Sequence, residues 1–330
     1  MAVGAGVGAS LGVFTEATFN TFPSSITTSK FYEFNSENLK FNKNIKAGMG
    51  LRGAGTVTRS QRRMLVTSDA SGDFEIDLPT RGLGLILGLS MSYQTAPTLT
   101  TTGVYTSTMV LGDPAGDSFS TQVQMPQYGG TVTTKTLTGC KVSSFELSCS
   151  NGDIAKGKFN IDAAGYNTTQ AVQSTSYITA ANQSLFTFAG GTVKIAGNTV
   201  TNVKDFTLNV DNALKVDRYN MVGTGIKSEQ TVGGFRKITG KMTIEFTDTV
   251  AYDAFFADTT IAVEFNLKGR NITGVYDEKL NISLPACKFD TDTPNVSGPG
   301  PIDLSVSFEA YDNGTNEPLT ITYVSADATL

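Results

Sequence analysis

Apolar and polar residues alternate along much of this chain. Phe74, Ile76 and Leu78 are interleaved with Asp73, Glu75 and Asp77, and Met242, Ile244 and Phe246 with Thr243, Glu245 and Thr247. Phe206, Leu208 and Val210 follow the same rule, as do Ile261 to Leu267 and Leu304 to Phe308. A period of two, rich in β-branched and aromatic residues, predicts strands with one buried and one polar face. Helix signals are few. The best is Val250 to Ala257, two turns long, with Asp248 in the N-cap position; Leu83 to Leu87 is a weaker counterpart. Glycine and proline clusters such as Gly190-Gly191, Gly233-Gly234 and Gly298-Pro-Gly-Pro301 punctuate the strands. The expected fold class is all-β.

The pattern also recurs. Gly72-Asp-Phe-Glu-Ile-Asp-Leu78 matches Gly240-Lys-Met-Thr-Ile-Glu-Phe246 at an offset of 168 residues, and each is followed by a short apolar stretch. Cys140-Lys141 matches Cys287-Lys288 at an offset of 147. The difference of 21 residues places an insertion in the first half, and the Thr-rich stretch from Tyr93 to Asp113 can hold it. The chain therefore divides into an N-terminal arm (1–35), a first domain (36–182) and a second (183–330). The arm is rich in Gly and Ala, then in Thr and Ser. It is expected to lack a strand before Lys30 and to become ordered on assembly.

Composition narrows the function. Of 330 residues 39% are hydrophobic, enough for substantial cores, while only 17% are charged. Such a weakly charged surface suits contact with other subunits. The formal net charge is −5, and the densest basic run is Arg59 to Arg63, which argues against tight binding to nucleic acid. The three cysteines have no CxxC spacing and read as reduced thiols in strands, as in a reducing cytoplasm. The N-terminus lacks the basic region and apolar core of a signal peptide, and no apolar run is long enough to span a membrane.

Reactive chemistry is sparse. There is no histidine, which removes Ser-His-Asp and Cys-His catalysis and the commonest zinc ligand. Gly48 to Gly53 spells GxGxxG, but β-type sequence and polar loop surround it where a dinucleotide site needs a βαβ unit. Asp290-Thr-Asp292 lacks the rest of a calcium loop. No catalytic, cofactor or metal residues are assigned, and the chain is expected not to be an enzyme.

The order of features resembles the major tail tube proteins of long-tailed phages, in the longer, duplicated form. The resemblance rests on Leu11-Gly-Val-Phe-Thr-Glu-Ala-Thr-Phe19, Phe31 to Leu39, Gly240 to Phe246 followed by Tyr252-Asp-Ala-Phe-Phe256, Leu284 to Phe289, and Pro301 to Leu304 running on to Phe308-Glu-Ala-Tyr311. It implies two tandem β-sandwich or half-barrel domains, each with one short helix. It implies subunits that join edge to edge around a lumen, so that every exposed strand edge is paired. Rings would stack into a virion tail, assembled in the host cytoplasm, through which DNA and a tape measure protein pass. Two fused units per chain imply a trimeric, pseudo-hexameric ring, with a hexamer as the alternative.

Within that frame Asp73, Glu75, Asp77 and Glu245 are candidate lumen-lining residues, since acidic groups repel phosphate and keep DNA mobile. Two polar, Gly-bearing segments just before the matched strands are candidate ring-stacking loops: Gly48 to Ser68, with Gly53, Arg59 and Arg62, and Asp217 to Gly234, with Gly223, Gly225 and Gly233. The competing reading is a surface adhesin or decoration protein built from Ig-like sandwiches. Sugar-stacking aromatic motifs or a secretion signal would favour it, and neither is evident.

Overall fold

The structure is a computed structural model of the chain, describing residues 6–24, 29–51, 55–127, 129–178, 184–247, 249–291, 293–294, 296 and 298–329. Its first half runs β1 (Ser10–Thr15), β2 (Ser29–Tyr32), β3 (Ser36–Glu37), β4 (Lys40–Ala47), β5 (Arg63–Asp77), α1 (Gly84–Met91), β6 (Thr98–Thr101), β7 (Val104–Val110), β8 (Phe119–Pro126), β9 (Val132–Cys149), β10 (Lys156–Ala163) and β11 (Gly165–Asn167). The second runs β12 (Gly191–Ile195), β13 (Asn198–Val200), β14 (Val203–Asp211), β15 (Leu214–Lys215), β16 (Thr231–Val232), β17 (Lys237–Glu245), α2 (Val250–Phe256), β18 (Ile261–Thr273), β19 (Tyr276–Thr291), β20 (Asp303–Ala310) and β21 (Thr320–Ser325). The fold is all-β. Among the described residues no helix is long and apolar enough to cross a membrane.

Alternation places the core. Phe74 and Ile76 of β5 and Leu78 just beyond it are fully buried, and Phe159, Leu208, Met242 and Val306 join them from neighbouring strands. The rings pack together: Phe74 lies tilted 5.4 Å from Phe159, and Phe206 stacks 4.4 Å from Phe265. The two helices form where the apolar stretches predicted them. α1 is buried along almost its whole length because its sequence is apolar on every side. Asp248, the expected N-cap of α2, lies outside the described residues.

The N-terminal segment departs from expectation. β1 is a core strand, with Leu11, Val13 and Phe14 fully buried, and it pairs with both β2 and β8. It is buried on both faces, so its residues carry no alternation to read. The strands and side chains that bury it belong to the same chain. The Thr-rich stretch forms the hairpin β6–β7, whose second strand pairs with β21.

Two long strands organise the rest. The early part of β9 pairs with β8 and its later part with β10, while β19 does the same with β18 and β20. Each thereby carries the chain from one layer to the other. The pairings β1–β2, β1–β8, β8–β9, β9–β10, β10–β5 and β9–β11 reappear in order as β12–β13, β12–β18, β18–β19, β19–β20, β20–β17 and β19–β21. Register repeats too. Gly72 pairs with Ile161 and Gly240 with Phe308, the offsets being the 168 and 147 read from the sequence. Interrupted between Glu37 and Lys40, β3 and β4 stand beside β5 as β14 stands beside β17. Among the described residues β6 and β7 have no counterpart in the second half.

Candidate assembly surfaces

One sheet runs unbroken through both halves, in the order β4–β5–β10–β9–β14–β17–β20–β19. Its centre is the pairing of β9 with β14, six residues in register from Phe206 opposite Cys149 to Asp211 opposite Ser144. Leu208 against Leu147 and Val210 against Phe145 bury the apolar face of this junction. At one end of the sheet, β4 pairs only with β5 among the described residues; at the other, β19 beyond Cys287 pairs only with β20. Both flanks expose unpaired backbone donors and acceptors.

The face of this sheet away from the core is polar and continuous. Asp73, Glu75, Asp77 and Glu245 all lie on it, half-buried, so the structure brings the four candidate lumen residues onto one surface. They are interleaved with lysines. Asp73 is 3.5 Å from Lys158, Asp77 accepts a hydrogen bond from the Asn35 amide, and Glu245 is 3.0 Å from Lys204, which also reaches Asp303 at 2.7 Å. The surface is therefore charge-mixed, with local pairs, and less acidic than its four carboxylates alone imply.

The two candidate loops behave differently. Gly53 lies outside the described residues. Arg59 and Arg62 sit on a hairpin tip that continues β4 and β5, exposed, with a single 3-10 turn at Ser60–Arg62. Arg62 donates from Nε to the Gly48 carbonyl, closing the hairpin. Antiparallel strands flank Gly48, so the βαβ setting of a dinucleotide site is absent there. The hairpin also exposes Met64, Leu65 and Val66, an apolar run of the kind that marks protein contacts.

The second loop folds back onto the first half. Gly225 offers its carbonyl to the Ser68 N–H at 3.0 Å, and Gly233 donates to the Ala213 carbonyl at 2.7 Å; Gly223 is exposed at the tip beside Met221. Between them Lys227 is buried, with Nζ 2.6 and 2.7 Å from the two oxygens of Asp162. Asp162 also accepts from the Gln230 amide at 2.7 Å. Asp69 stands 3.7 Å from Lys227 and accepts from the Tyr219 hydroxyl at 2.6 Å. A second buried lysine, Lys141, pairs with Glu229 at 2.7 Å, and Glu229 accepts a further bond from the Gly116 N–H. Burial raises the Asp162 carboxyl despite Lys227. Burial pushes Glu229 the same way, but hydrogen bonds from Lys141 and Gly116 outweigh it, and its net shift is downward.

Sequence reading missed this clamp because its partners lie far apart along the chain. The residues Lys227-Ser-Glu-Gln230, charged and amphipathic inside a Gly-rich loop, were its one local sign. Chemistry elsewhere is thin. A cleft of about 670 Å³ is lined by Tyr32, Asp77, Arg81 and Tyr177, but Arg81 is engaged by Asp327 at 2.9 Å and Asp77 by Asn35. Among the described residues no group of three or more His, Cys, Asp or Glu side chains is placed to hold a metal ion. Cys140, Cys149 and Cys287 are buried thiols, and burial raises all three.

A family model described as phage tail tube protein matches residues 6–310. The chain belongs to the phage tail tube family. The match runs from before β1 to the end of β20, so it takes in the junction, both flanks and both loops of this tail tube protein. No curated protein matches it. Family membership gives the chain a structural role as a tail tube subunit, a place in the virion tail, and self-association into a tube.

Proposed function

We propose that three copies of this tail tube protein close a pseudo-hexameric ring, each contributing two tube units in tandem, and that rings stack into a conduit for DNA and the tape measure protein. The observation that carries this reading is the β9–β14 junction. It joins the sheet of one half to the sheet of the other by main-chain pairing, and it leaves matching flanks at β4 and β19. Pairing those flanks between copies repeats inside the ring what the junction does inside the chain, and it leaves this sheet without an open edge. The repeated order of strand pairings supports two tandem units, the first taking in β1 and β2, which answer to β12 and β13, together with residues 36–182, and the second residues 183–330.

In this reading the continuous polar face lines the lumen. Its carboxylates, Asp73, Glu75, Asp77 and Glu245, repel phosphate, and the interleaved lysines keep the field modest, so that DNA moves without sticking. The wall has no catalytic task, and assembly takes place in the host cytoplasm. The tip from Asn220 to Thr224 and the hairpin around Arg59 reach beyond the sheet as contacts between neighbours.

Electron microscopy of the purified protein tests the proposal. Stacked rings with true three-fold and approximate six-fold symmetry are expected. Six chains per ring would replace the trimer by a hexamer, and single chains under all conditions would reject ring formation. Side chains of Asp73 and Glu75 on the outer wall would reject the lumen assignment.

A further inference from the structure

The internal repeat lets one interface be read from another. Arg59 stands 168 residues before Lys227, the offset that also relates Gly72 to Gly240, with no insertion between. Arg59-Ser-Gln61 thus occupies the place of Lys227-Ser-Glu229. On the receiving side, Asp162 faces Lys141 across the β10–β9 pair, and Glu309 faces Lys288 across the β20–β19 pair, at the offset of 147. Every member of the clamp's central ion pair therefore has a counterpart. The difference is occupancy. Lys227 is buried on Asp162, whereas Arg59 is exposed and has no ion pair among the described residues. Glu309 is half-buried, and among the described residues its one ion pair is with Lys237, three-fifths exposed, at 3.4 Å.

We propose that Arg59 of one copy forms an ion pair with Glu309 of the next, as the inter-chain form of Lys227 on Asp162; the proposal rests on the ring reading above. In the chain, β14 lies against β9, and the loop that follows β14 drops onto Asp162. When β4 lies against the β19 of a second copy, the loop that follows β4 drops onto Glu309 by the same geometry. Arginine suits an interface ion pair because its planar fork meets a carboxylate at two points and sheds water readily. The Lys237 contact it displaces is an exposed pair and weak. The apolar run Met64 to Val66, beside Arg59 on the same hairpin, is covered in the same step.

Charge reversal tests this. Arg59→Glu and Glu309→Arg are each expected to raise the protein concentration needed for ring formation at least tenfold, with the single chain still folded by circular dichroism. The double variant is expected to recover assembly. A second readout is geometric: in an Arg59→Cys, Glu309→Cys chain, a short bis-maleimide is expected to link copies into a ladder ending at three. The native cysteines are buried and do not compete. Single variants that assemble like wild type, a double variant that fails to recover, or rings that give no ladder would overturn the pair. Wild-type protein that never forms rings would instead reject the ring reading.

Discussion

Lys227 places its side-chain amine inside the protein. Its side chain is wholly buried, so the ammonium relies on Asp162, with Asp69 further off. Removing one member of such a pair leaves the other charged and uncompensated. Lys227→Ala is expected to cost about 3–5 kcal/mol in urea unfolding. Replacing both partners, with Lys227→Met and Asp162→Leu, is expected to cost much less, since no buried charge is then orphaned. Glu229 makes a different prediction, about pH. Its carboxyl is held below the ordinary glutamate value of 4.5, so ionised Glu229 stabilises the fold above that value, and the contribution is lost as pH falls through its folded value. The melting-temperature gap between wild type and Glu229→Gln should therefore be widest near neutral pH and close in acid.

At the scale of strands, the two matched glycines serve the same register for different reasons. A Cβ on Gly240 would come within 2.1 Å of the Phe308 ring, and one on Gly72 within 2.1 Å of the Asn38 carbonyl oxygen. Phe308 packs 6.0 Å from Phe265 and 6.4 Å from Phe289, so it has little room to retreat. Gly240→Val is expected to destabilise the chain by roughly 1–3 kcal/mol or more, seen as a lowered thermal midpoint. Strands with one wet face were plain in the sequence, because β5, β14, β17 and β20 alternate. β1 was not, since both of its faces are buried. β4 was not, since its residues are mostly exposed and polar. The inserted hairpin β6–β7 was legible as an insertion through the 21-residue difference, but its strands are Thr-rich and carry few apolar residues to show a period of two.

For the whole molecule, sequence pattern reached the candidate surfaces unevenly. It put Asp73, Glu75, Asp77 and Glu245 on polar strand faces, because alternation dictates the face. It did not reveal the lysines across from them, because strand order decides who sits opposite. It placed both loops just before matched strands, yet could not tell that one is clamped and the other exposed. That distinction arises from chain connectivity: the second loop has a preceding half to dock on, and the first loop has none within its own chain.

The β9–β14 pairing has an arithmetic consequence for any closed assembly. In the proposed ring the polypeptide itself joins the two halves, so tube units would arrive in pairs, and a ring of five or seven units could not be completed from whole chains. Half of such a ring's seams would form at an effective concentration fixed by the linker, however dilute the protein. Only the remaining half depend on encounter between copies, so errors in ring size are confined to an even step of two.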